Sequence, residues 1–113
     1  MSHRNYLCLH RKRWALSQRE LALLLGQASR SVVSRLELGL GRPSLPFAIR
    51  CEAVFGVRVA ELFPELFEEN HDQVMRQAAD LDRRLRGRTD AGSARKRALL
   101  LEIVGRMPNP DIR

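Results

Sequence analysis

Residues 16–39, LSQRELALLLGQASRSVVSRLELG, constrain the fold more than any other stretch, because they read as two short helices joined by a tight turn. Ser17 and Glu20 fit the S-x-x-E capping box, in which the serine oxygen takes one orphan amide and the glutamate takes another. Leu21, Ala22, Leu24 and Leu25 follow at helical spacing and predict an apolar face, and Gly26 predicts the stop. A second helix is predicted after Ser29, with Val33, Leu36 and Leu40 facing inward and Arg30, Ser31, Ser34 and Arg35 facing outward. Its first turn has no acid, and two arginines stand on its exposed face. A helix N-terminus favours anions, so this end of the element suits approach to a phosphate backbone.

The rest of the chain also reads as helix. A first helix over residues 5–14 places Tyr6, Leu7, His10, Arg11 and Trp14 on one side, with His10 expected as a core histidine holding a satisfied hydrogen bond. After a loop over 39–43, Ser44 is a good N-cap and Pro46 falls in the first turn, where proline is tolerated. Phe47, Ala48, Cys51 and Phe55 supply that helix's apolar positions before Gly56 ends it, and a short fifth helix over 59–63 is punctuated by Pro64. In residues 65–86, Phe67, His71, Val74, Ala78, Leu81 and Leu85 are spaced 4, 3, 4, 3, 4, an a/d seam of heptad type. Two readings fit this seam: a helix that pairs with a second copy, or one that folds back on its own domain. Residues 87–93, GRTDAGS, read as a linker. A last amphipathic helix over 94–105 carries Leu99, Leu100, Ile103 and Val104 behind a basic head, Arg95, Lys96 and Arg97. That head reads as a solvated first turn, with phosphates or a membrane surface as the alternative. The tail over 107–113 is expected to be disordered.

With 113 residues there is room for one domain and a small appendage. Aromatic residues are only 5% of the chain, so the core must be built mainly from Leu, Val and Ala. The net charge of +7 points to anionic partners, and its distribution is sharper. Residues 1–45 hold eight bases (Arg4, Arg11, Lys12, Arg13, Arg19, Arg30, Arg35, Arg42) against two acids (Glu20, Glu37), a surplus of six. Residues 65–86 hold six acids against four bases, so the surplus belongs to the segment with the paired helices, as a nucleic-acid footprint should. No apolar run approaches a membrane span and the N-terminus lacks a signal-peptide core, so a cytoplasmic protein without membrane contact is expected. Cys8 and Cys51 are then expected as reduced, buried thiols. His3, His10 and His71 have no ligand neighbours at metal spacing, so neither a metal nor another cofactor is expected.

Several short motifs fall at the right distances to carry a resemblance: Leu25-Gly26, Ser29, Val33-Ser34, Leu36-Glu37, Gly39, Arg42, Pro43-Ser44-Leu45, and the ending Phe55-Gly56-Val57 with Glu61-Leu62-Phe63. On these residues the chain resembles the lambda-repressor-like helix-turn-helix family, also called the xenobiotic-response-element type, of bacterial and phage regulators. One departure is that Gln27-Ala28 puts one more residue between Gly26 and Ser29 than the commonest family pattern, which lengthens the turn. The resemblance implies an all-α fold, a five-helix DNA-binding domain over residues 1–64. A helical extension follows: the amphipathic helix over 65–86, then linker, short helix and tail over 87–113. It implies that Arg30, Ser31, Val32 and Arg35 meet base edges, and that Gln18, Ser34, Arg42 and Ser44 contact phosphates. It also implies that Arg11 pairs with Glu37, tying the first helix to the recognition helix. An unpaired carboxylate beside the inward-facing Leu36 would be costly, which supports that pairing independently.

The expected function is a sequence-specific DNA-binding transcriptional regulator, acting as a homodimer on a two-fold operator in double-stranded DNA. The alternative is an antitoxin, in which the same domain binds its own operator and the C-terminal helices hold a toxin protein. An enzyme is not expected, since no carboxylate pair, nucleophile–base set, glycine-rich phosphate loop or metal cluster is legible. RNA binding is disfavoured by the lack of an aromatic stacking surface.

Overall fold

Polar caps and left-handed glycines cut the described part of the chain, residues 4–106 of the computed structural model, into helices. These are α1 (Leu7–Arg13), α2 (Gln18–Leu24), α3 (Ser31–Glu37), α4 (Leu45–Phe55), α5 (Val59–Leu62), α6 (Pro64–Leu85) and α7 (Ala91–Gly105). His3 and the tail over 107–113 lie outside the described residues. The capping box of α2 forms in full: Ser17 Oγ accepts from the Glu20 amide at 3.0 Å, and the Ser17 amide donates to Glu20 Oε1 at 2.9 Å. Ser44 Oγ accepts from the Phe47 amide at 3.2 Å and starts α4, which Gly56 ends at φ 65°. Pro64 opens α6 instead of merely closing α5, consistent with proline's tolerance at a first helical position.

Two compact units share α6 between them: the first ends at Glu69 and the second begins at Asn70. In the first, Leu7, Leu21, Ala22, Leu25, Val33, Leu36, Phe47, Cys51, Leu62 and Phe63 form one buried cluster, with Leu66 at the start of α6 packed against it. Each fully buried Leu contributes about 1.5–3 kcal/mol relative to exposure, so this cluster holds the unit together. Asn5 ties the start of α1 to the last turn of α3: Nδ2 donates to the Leu36 carbonyl at 2.7 Å, and Oδ1 accepts from the Leu7 amide at 3.1 Å. Two apolar positions differ from expectation. Leu24 is 55% exposed, because a stripe centred on Leu21, Ala22 and Leu25 leaves it beyond the edge. Leu40 is 43% exposed, because α3 ends at Glu37 and the chain turns at Gly39 (φ 78°), out of helical register. His10 is half-buried with its ring 5.8 Å from that of Phe55, an aromatic contact where a hydrogen bond was expected. Both cysteines are free; Cys51 is buried, which pushes its thiol up to about 12, whereas Cys8 is only half-buried.

The second unit is built from the later turns of α6 and from α7. Asp90 caps α7 by accepting from the Ser93 amide at 2.9 Å and the Ser93 hydroxyl at 2.7 Å, so residues 91–93 are helical and the expected linker shortens to 87–90. Arg97 Nη2 donates to the Leu85 carbonyl at 2.7 Å and also to that of Arg88, closing the end of α6. That role takes Arg97 out of the solvated basic head. Leu85, Ser93 and Leu100 are buried, while Leu99 and Val104, expected on the inner face of α7, are exposed. Leu85 is thus turned into its own unit, whereas Val74 and Leu81 of the same predicted seam are exposed. Among the described residues, no helix is long and apolar enough to cross a membrane.

Candidate nucleic-acid interface

The interface is organised around a buried ion pair. Arg11 on α1 reaches Glu37 at the end of α3 with two parallel bonds, Nε to Oε2 at 2.6 Å and Nη2 to Oε1 at 3.0 Å. The side chains are only 12% and 6% exposed, so the pair is shielded from water and its geometry carries weight. Arg11 Nη1 also donates to the Leu16 carbonyl at 2.8 Å, bracing the link from α1 to α2, where Ala15 takes a left-handed φ of 56°. Gln18, the first residue of α2, donates Nε2 to Glu37 Oε1 at 3.0 Å. Three helices therefore meet on one carboxylate. Burial by itself would raise the Glu37 pKa, but the hydrogen bonds from Arg11 and Gln18 and the attraction of Arg11 outweigh it and hold the group below the ordinary glutamate range. The Arg11 guanidinium is raised in turn, chiefly by its hydrogen bond to Glu37.

This carboxylate fixes how α3 is presented. Val33 and Leu36 sink into the core, leaving Ser31, Val32 and Arg35 exposed and Ser34 half-exposed on the opposite side. Arg30 stands at the N-cap position, outside α3 proper, and Ser29 does the capping, with its Oγ accepting from the Ser31 amide at 3.2 Å. The Ser29 and Ser31 hydroxyls lie 2.5 Å apart, so Ser31 already has a hydroxyl partner. The expected backbone contacts are differently placed. Gln18 is tied to Glu37, with one of its two amide protons still to offer, and Ser44 is engaged as a cap through its oxygen. Arg42 Nη2 is paired with Glu69 Oε1 at 2.9 Å, with both side chains about half exposed.

Sorting the cations of the first unit by partner is more informative than counting them. Arg4, Arg11, Arg42 and Arg58 pair with Glu65, Glu37, Glu69 and Glu61. Arg50 Nη1 donates to the Leu25 carbonyl at 3.0 Å, capping the end of α2 beside Gly26. Lys12, Arg13, Arg19, Arg30 and Arg35 have no such partner among the described residues, and all five lie between the end of α1 and α3. Arg11, Ser17, Gln18, Arg19 and Arg30 line an open cleft of about 520 Å³ on this side. Arg50, Glu69 and Asn5 escaped sequence reasoning, since the carbonyl or charge that each meets is remote in the chain.

A helix rigidly presented with an exposed basic face, flanked by uncompensated cations, defines a DNA-binding unit of helix-turn-helix type. Residues 11–62 match the family model described as helix-turn-helix, so this segment is a lambda-repressor-like helix-turn-helix domain of the kind found in DNA-binding transcription regulators. No curated protein and no solved structure matches the chain.

Proposed function

We propose that the protein is a sequence-specific transcriptional regulator that places α3 in the major groove and acts as a dimer on a two-fold operator. The observation that carries this reading is that the cations unpartnered among the described residues of the first unit all fall between the end of α1 and α3, while its other arginines are paired with glutamates or spent on a helix end. Ser31, Val32 and Arg35 meet base edges, with Arg35 able to bond both acceptors of a guanine. Ser34, Gln18, Arg42 and Ser44 hold the backbone, Arg42 by exchanging Glu69 for a phosphate. Selection of bound duplexes from a random library tests the reading, and a palindrome among the winners supports the dimer. Arg35→Ala is expected to cost about 1–3 kcal/mol at one position of the selected site and to relax the base preference there. Equal weakening on every sequence would make Arg35 a phosphate contact.

For the dimer, the seam Phe67, His71, Val74, Ala78 and Leu81 is the proposed contact, with Leu85 held inside its own unit. Two half-sites about 34–36 Å apart require two recognition helices, and linking them makes the second contact nearly intramolecular. Sedimentation of the full chain should show a dimer that Val74→Glu with Leu81→Glu dissociates. A monomer that co-purifies with the product of an adjacent gene would move the reading to the antitoxin.

A further inference from the structure

The extended turn after α2 changes what Arg30 is placed to do. A base reader projects from the exposed face of the recognition helix, as Arg35 does. Arg30 instead stands at the very start of the helix, where its carbonyl accepts from the Ser34 amide at 2.9 Å, at the end of the connection over 25–30 that carries the additional residue. It lines the same open cleft as Ser17, Gln18 and Arg19 from the start of α2, with Arg11 at the back. Among the described residues, no carboxylate lines this cleft. Of the two acids bonded to its lining residues, Glu37 is consumed by Arg11 and Gln18, and Glu20 by the capping box at Ser17. Arg19 and Arg30, from different elements, therefore line one open cleft, and neither has an ion-pair partner among the described residues. Like charges gathered in this way repel in the free protein, and a bound anion relieves the repulsion.

We propose that Arg19 and Arg30 grip a single backbone phosphate of the DNA, with the remaining Gln18 amide proton as a neutral third donor. Base readout then begins at Ser31, and Arg30 sets register without choosing sequence. This deepens the DNA-binding reading above and rests on it.

The test uses the full-length protein, a duplex carrying the library-selected site and a scrambled duplex of equal length, titrated at several salt concentrations. Arg19→Ala and Arg30→Ala should each weaken both duplexes by the same factor, about three- to tenfold, and the double variant should lower the salt slope by about 0.9, the share of one phosphate. Neither side chain has a partner among the described residues, so both variants should melt with the parent. Repeating the selection with Arg30→Ala should return the same sequence, and Arg30→Lys should keep the salt slope. A scan of single neutral methylphosphonates should reveal one backbone position whose cost to the parent shrinks in each variant and disappears in the double variant. A changed base preference in Arg30→Ala, an unaltered salt slope in the double variant, or two different backbone positions for the two arginines would overturn the clamp while leaving DNA binding intact. Failure of the parent to enrich any duplex would overturn both.

Discussion

The two units solve the same problem with different resources. Each ends a helix by sending an arginine from the next part of the chain onto its terminal carbonyls: Arg50 onto Leu25 in the first unit, Arg97 onto Leu85 and Arg88 in the second. Each also starts a helix with a polar cap, Ser17 with Glu20 in one and Asp90 with Ser93 in the other. What differs is the burial behind these devices. In the first unit they flank a shared core drawn from α1 to α5, whereas the second buries Leu85, Ser93 and Leu100 and leaves Val74, Leu81, Leu99, Leu101 and Val104 exposed. Caps decide where a helix begins and ends, but tertiary burial decides whether it stays formed. The first unit is therefore the stable platform for α3, and the second depends on cover for its apolar side chains.

The largest expected effect comes from breaking the platform at its buried charge. Glu37→Ala leaves Arg11 and Gln18 facing a vacancy, and removing one side of a buried pair costs about 3–5 kcal/mol. Thermal unfolding checks this, and a melting temperature equal to the parent's would show the pair to be dispensable. Next come matched truncations in the two units. Leu21→Ala, at a fully buried position, should cost about 2–5 kcal/mol, and Leu100→Ala, still 8% exposed and among fewer buried neighbours, should fall at or below the lower end. Hydrogen exchange sharpens the contrast: Leu100→Ala should loosen α7 while amides of α2 and α3 keep their protection, and equal loosening of both units would erase the distinction.

Acid offers a third probe. Because the folded pKa of Glu37 is depressed, its contribution is present above the ordinary glutamate value and lost as pH falls below about 4.3, through the folded value. Asp90 in the second unit is lowered too, chiefly by the hydrogen bond from the Ser93 side chain. The parent should thus lose stability in that acid window, and Glu37→Gln should flatten part of the loss in the first unit while the Asp90 titration stays unchanged by NMR. The smallest effect is expected at Glu69→Gln. An exposed ion pair is worth at most about 1 kcal/mol, so freeing Arg42 should leave the melting temperature nearly unchanged and tighten DNA binding by no more than about fivefold. A weaker complex would show that Glu69 positions Arg42 instead of competing with phosphate.

Much of the first unit was legible from residue order, because its signals are local. The capping box, the stop at Gly26, the Ser44 cap and the buried Val33, Leu36, Phe47 and Cys51 all follow from spacings of a few residues. The Arg11–Glu37 pair came from resemblance, not from spacing, since its partners are 26 residues apart. Leu24, Leu40, Leu99 and Val104 are exposed where spacing predicts inner positions, for two reasons. Periodicity tells which residues share a stripe, but the width of the buried stripe is set by neighbouring elements, and register is lost where a helix stops.

The sequence by itself determined the all-helical class, the paired helices and the basic character of the segment that carries them, since caps, glycines and charge density act over short distances along the chain. Only the tertiary structure decided which cations are free. Arg42 meets Glu69, Arg50 and Arg97 are spent on carbonyls, and Arg19 and Arg30 line one cleft without a counter-charge. Whether a charge is neutralised depends on what the fold brings within a few ångströms of it, and that proximity is a property of the packed molecule.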